Sequence, residues 1–248
     1  MASMSSRPLA SRNLKSVLRD PLSLGLAVAL PVGLLLILLA VGRAIGEADA
    51  SWLTATQLTP GIVLFGYVML MFSAAMGLSR DRESSLLSRL FTTPLSASGF
   101  IAGYSLPYLP VAAAQAVALY VIGALYGLSI VGSVALVILV LGLMAVFYIA
   151  LGMLLGTTLT VNQVSGAYAA ILLLTIFGGA WVDLSELGGA FETAASVLPF
   201  AHALDATRAV MADGAGLADI AVDLAWVSGY TVVTVAVAIW LFRRQMSR

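Results

Sequence analysis

RDRESSLLSRLFTTPLS, residues 80–96, holds five charges in its first ten positions (Arg80, Asp81, Arg82, Glu83, Arg89) inside a chain that is otherwise oily. Toward the C-terminus, residues 90–182 pass without a single charge, and toward the N-terminus so do residues 50–79. A charged island between two such runs belongs in water at a membrane surface, because leaving charge in hydrocarbon costs about 2.5–3.5 kcal/mol per residue on insertion scales. At helical spacing Glu83, Leu86, Leu87, Leu90 and Phe91 share one side, with Ser84, Ser85, Ser88 and Arg89 opposite. Pro94 ends the pattern. The stretch reads as a short amphipathic helix held between two membrane spans. Its apolar face either docks on a partner or lies on lipid; spacing alone leaves both open.

Composition sets the same class. The chain is 61% hydrophobic and 10% charged, with a mean hydropathy of +1.04 over 248 residues. Each helical crossing takes roughly 20 apolar residues, so this length accommodates six spans and their loops. The predicted fold is an all-α integral membrane protein, one transmembrane domain over residues 1–248 with spans near 21–42, 57–79, 101–126, 131–156, 164–182 and 224–242. Pro31 falls in the first span, and Pro107 and Pro110 in the third; all three are tolerated where neighbouring helices supply the missing bonds. Ahead of span one, Arg12, Lys15 and Arg19 cluster on one side of a helix opposite Leu14, Val17 and Leu18, the pattern of a basic interfacial helix. A cleaved signal peptide is disfavoured: the 22-residue run 21–42 is too long for one and lacks a clean A-x-A site.

Lys and Arg set the orientation. Ten lie at the termini and in the even-numbered loops, against two on the other side. The positive-inside rule then places both termini and the 80–96 helix in the cytoplasm of a multi-pass plasma-membrane protein. Trp52, Trp181 and Trp226 fall at the outer interface and Trp240 at the inner one, as an aromatic belt requires.

Several activities are excluded or disfavoured. No G-x-x-x-x-G-K-[ST] loop occurs, so the chain does not hydrolyse nucleotide by that route. No Asp, Glu, Lys, Arg or His lies inside an assigned span, which argues against a carrier driven by an ion gradient. There is no cysteine, hence no disulfide framework and no thiolate metal site. His202, the only histidine, reads as an exposed or capping loop residue rather than a catalyst. No catalytic residue, metal ligand or nucleic-acid surface is expected.

Against this background the chain resembles the membrane subunits of type-2 ABC transporters, most of which export. The likeness rests on Thr59-Pro60-Gly61 opening the second span, on the R-D-R-E…R-L…T-P-L run, and on L-P-F-A-H-A-L-D-A-T-R-A-V-M at residues 198–211. Within the run, Arg82-Glu83, Arg89-Leu90 and Thr93-Pro94-Leu95 match the family signature, while Ser85 stands where the family often has glycine. The resemblance implies a pair of six-span subunits, identical or related, each seated on a cytoplasmic ABC ATPase that binds ATP and Mg. Residues 82–91 would be the coupling helix, with Arg82, Glu83, Leu86, Leu87, Arg89, Leu90 and Pro94 facing the ATPase and residues 9–20 a second contact. Glu83 has two readings: pairing with a base on the ATPase, or complementing the N-terminal dipole of its own short helix. Residues 183–212 would form outer re-entrant helices, with Asp205 and Arg208, spaced i, i+3, as outer gate candidates. Gln115, mid-span, either lines the pathway or packs between helices, and Gly152 and Gly156 read as a close helix contact. The implied function is ATP-driven export of a hydrophobic or amphiphilic compound; a non-transporting membrane anchor for a cytoplasmic partner is the alternative.

Overall fold

A computed structural model describes residues 7–19, 21–46, 51–84, 96–181 and 196–246. Nine α-helices and no strand are present among them: α1 (Arg7–Leu18), α2 (Pro21–Ile45), α3 (Ala55–Glu83), α4 (Ala97–Ser105), α5 (Tyr108–Leu125), α6 (Val134–Thr158), α7 (Val161–Thr175), α8 (Pro199–Arg208) and α9 (Ala221–Met246). Among the described residues six helical stretches are long and apolar enough to cross a membrane, α4 and α5 counting as one and α7 extending through a π-turn, Ile176–Ala180. The protein is all-α.

α3 is the axis. Its 29 residues reach about 43 Å at 1.5 Å per residue. From Leu58 to Val68 every residue is buried, Leu58, Ile62, Val63, Leu64 and Val68 completely, and in the second half Met71 and Leu78 are enclosed while the face with Met69, Phe72 and Met76 is only partly covered. A helix apolar all round fits only where other helices surround it, and α2, α5, α6 and α7 all pack on it. The closest neighbour is α6. A methyl group built at Gly152 would stand 2.6 Å from the Met71 carbonyl oxygen, and one at Gly156 2.6 Å from that of Ala75. The two glycines thus seat α6 on successive turns of α3, the two running parallel, as small-xxx-small contacts do in lipid.

The third span is interrupted. Leu106-Pro107 forms a turn between α4 and α5, because Pro107 has no N–H to continue the ladder. α8 is buried on nearly every side: Phe200 stacks on Tyr148 with ring centres 5.6 Å apart, and Leu204 and Ala203 are fully enclosed. At the same end of the bundle the α5–α6 loop is clasped to the turn after α8 through Val131 N–H to Met211 O (2.9 Å) and Gly132 N–H to Val210 O (3.1 Å).

The end of α3 differs from the sequence-based expectation. The helix does not stop at Ser79; α3 continues to Glu83, and Ser84 is extended. Arg80, Asp81, Arg82 and Glu83 therefore belong to the last turn of a spanning helix and not to the start of a short separate one.

Candidate functional site

The charged end of the bundle is built from those four residues. Asp81 accepts from the Arg12 guanidinium (2.8 Å) and from the Tyr104 hydroxyl (2.5 Å), tying α1 and α4 to α3. Asn13, buried, donates to Gly103 O at 3.2 Å, and Leu9 packs on Gly103, so α1 lies against α4. Arg82 reaches across to α6 and donates to the carbonyls of Thr157 and Leu159. The Ser79 hydroxyl donates to the same Leu159 oxygen (2.9 Å), and the Gln245 amide of α9 to that of Thr157 (2.5 Å). Glu83 accepts from Val161 N–H at 2.9 Å.

The chemistry is that of helix ends. The last carbonyls of α6 and the first N–H groups of α7 lack intrahelical partners. A cation suits the former and an anion the latter. The junction Leu159-Thr160 carries no charge of its own, so α3 supplies both signs. Gln163 closes the junction by accepting from Thr160 N–H at 3.0 Å. Four spanning helices, α3, α6, α7 and α9, converge on this knot.

The opposite end is built around Arg208. Its side chain is turned into the bundle, 9% exposed. Nε and Nη2 donate to Gln57 O (3.2 and 3.1 Å), and Nη2 also to Gly179 O (2.9 Å) and Ala180 O (3.4 Å). Gly179 has φ +94°, a left-handed conformation that ends the π-turn and leaves its carbonyl free to be bonded. Arg208 so joins α8 to the first turn of α3 and the end of α7, while Asp205 lies on the exposed side of α8. Nearby, His202 Nδ1 is 2.7 Å from Asp223 Oδ1, and its ring stacks on Trp226 at 5.0 Å and 9°. The expected loop histidine is thus a part-buried link between α8 and α9.

Residues 7–212 match the sequence profile of the ABC-2 type transporter family. The chain belongs to that family. Two curated relatives, both named probable multidrug ABC transporter permease YbhR, one from Escherichia coli K12 and one from E. coli O157:H7, are each 23% identical over 206 residues. The match covers 80% of this chain and 54% of each relative, so the chain spans about half the length of the curated relatives it matches.

Of the residues expected to couple to the ATPase, Arg82 and Glu83 come together on the α6–α7 junction. Leu86, Leu87, Arg89, Leu90 and Pro94 lie outside the described residues, as does the first half of the outer segment. Reading the sequence missed Ser79, Tyr104, Asn13 and Gln245 as participants, for most of their partners are main-chain groups. Of the two outer gate candidates, Arg208 is held by the Gln57, Gly179 and Ala180 carbonyls and Asp205 stands on the exposed side of α8.

Gln115 is fully enclosed within the subunit, and among the described residues neither amide atom has a hydrogen-bond partner. Its Nε2 would lie 1.4 Å from a methyl at Gly66, so the amide rests directly on α3. Burying an unpartnered amide costs about 1–3 kcal/mol. Gln115→Met, similar in volume, is therefore expected to raise thermal stability by about 1 kcal/mol, read as a higher unfolding midpoint in detergent. A lower midpoint would show that the amide is satisfied.

Proposed function

We propose that this chain is the membrane-spanning permease of an ATP-driven exporter. It works as a homo- or heterodimer, each subunit resting on a cytoplasmic ABC ATPase that holds ATP and Mg. The cargo is a hydrophobic or amphiphilic compound such as a drug, an antibiotic or a lipid-linked molecule. The observation that carries this reading is the Arg82–Glu83 clasp. A push applied to the segment after Ser84 enters α3 at its last turn and passes through charge-assisted bonds into the ends of α6 and α7. Such a link moves helices as rigid bodies and needs no chemistry of its own. Glu83 is accordingly assigned to the permease's own junction, and Leu86, Leu87, Arg89, Leu90 and Pro94 to the ATPase groove. The family and the multidrug names of the relatives support export.

Vesicles holding the chain and its ATPase test the proposal. Substrate flux should follow ATP and ignore an imposed pH gradient. Arg82→Gln with Glu83→Ala should lower flux at least tenfold while ATP hydrolysis persists, and Leu90→Asp or Pro94→Ala should also release the ATPase. Flux driven by the gradient alone would make the chain a carrier; normal flux in all the variants would leave only an anchor.

The same reading places the charged end and both termini in the cytoplasm. In this cysteine-free chain, Ser196→Cys should react with an impermeant maleimide in intact cells and Ser88→Cys should not. The reverse result inverts the topology.

A further inference from the structure

Three of the four charges at residues 80–83 are spoken for by Arg12 and Tyr104, by the α6 carbonyls and by Val161 N–H. Among the described residues Arg80 makes no hydrogen bond or ion pair with its side chain, which is exposed. With Asp81 it lines one end of the α3 wall of a cleft of about 440 Å³ between α1, α2, α3, α5 and α7. Met69, Phe72 and Met76 line the α3 side of the cleft, and Leu30 of α2 and Tyr168 of α7 the walls. Residues 69, 72, 76 and 80 recur at three- and four-residue steps, so they form one straight stripe. From Arg80 to Met69 the stripe is about 16 Å long at 1.5 Å per residue, close to the ~15 Å depth of one leaflet's hydrocarbon. At its far end the Tyr168 hydroxyl lies 3.1 Å from Met69 Sδ, and the Phe72 and Tyr168 ring centres are 4.7 Å apart.

We propose that this groove binds an amphiphile with an anionic head, the head on the Arg80 guanidinium and an apolar chain along Met76 and Phe72 to Met69. The proposal deepens the export reading and rests on it for the leaflet assigned. Guanidinium matches phosphate or carboxylate with two parallel donors. The neighbouring carboxylate at the same end, Asp81, is met by Arg12, and Glu83 on the same helix by Val161, so neither cancels the Arg80 charge. The apolar walls take the tail, and the charge stays at headgroup depth. The same chemistry belongs to an anionic bilayer lipid and to an anionic cargo.

The test uses the purified full-length chain in detergent, with phosphatidylglycerol and phosphatidylcholine of equal chain length as probes and bound lipid counted by native mass spectrometry. Phosphatidylglycerol should be preferred about fivefold, the ratio equivalent to about 1 kcal/mol per basic residue at a membrane surface. Arg80→Gln should erase the preference, Arg80→Lys should keep most of it, and Met76→Trp should exclude both lipids. Equal binding of the two lipids by the parent, or an unchanged preference in Arg80→Gln, overturns the proposal. So does efficient cross-linking of Ser73→Cys to its copy in a second subunit, which would mean that protein fills the groove. ATP-driven flux of a fluorescent phosphatidylglycerol then separates the sources: a cargo loses flux in Arg80→Gln, a resident lipid does not. Absence of any ATP-driven flux in the parent sinks the export reading and leaves the binding result standing.

Discussion

Gly61→Ala is expected to yield little folded protein in the membrane. A methyl at this position would lie 1.6 Å from the Ala180 carbonyl oxygen, 2.5 Å from its carbon and 2.9 Å from its Cα. All three are main-chain atoms in a π-turn, so no side chain can rotate away. α3 and the end of α7 would have to part by more than an ångström. That movement would also stretch the Arg208 bonds to Gln57 and Gly179, which hold the same two elements together. Overpacking in cores costs about 1–3 kcal/mol where neighbours can yield, and the rigid neighbour puts this site at or above the top of that range. The control is Gly142→Ala in α6, where an added methyl meets nothing within 4 Å. Size-exclusion profiles and unfolding midpoints of the two variants, compared with the parent, decide it. A stable, monodisperse Gly61→Ala protein would show that the α3–α7 approach is looser than described.

Arg208→Leu should destabilise the protein by about 3 kcal/mol, since it leaves several enclosed main-chain carbonyls without a donor at about 1–3 kcal/mol each. The loss is not that of a surface ion pair. The positive charge sits among the Gln57, Gly179 and Ala180 carbonyls, and the latter two mark the negative end of the α7 dipole. Leucine fills part of the volume but leaves carbonyl oxygens enclosed without donors, the costly half of the exchange. Arg208→Lys should recover about half of the loss, since an ammonium keeps the charge but cannot fork between two carbonyls. Thermal unfolding in detergent reads all three proteins. If leucine and lysine behave alike, the carbonyl set is not what holds Arg208. If leucine is harmless, α8 is anchored by Phe200 and its aromatic neighbours alone.

How far the chain could be read in advance is clear from particular residues. The all-α membrane class was legible because long uncharged runs have no stable place except hydrocarbon, and the island at residues 80–83 because charge has none there. Gly152 and Gly156 were legible as a packing face because four-residue spacing is a property of the helix itself. The roles of the charged residues were not. Arg82, Glu83 and Arg208 are identifiable by type, and family likeness marks the first two. Yet their partners are Thr157 O, Leu159 O, Val161 N–H, Gln57 O and Gly179 O. Every residue has such a carbonyl, and nearly every residue such an N–H, so no side-chain pattern announces which will be left unbonded. That depends on where α6 ends, where α7 begins and how Gly179 turns. Arg12 and Asp81, 69 residues apart, meet only because α1 folds back onto α4. The amino-acid sequence by itself determined which segments are oily and where charge must surface. Only the tertiary structure decided which helix ends each charge would cap, because that choice belongs to backbone groups brought together by packing.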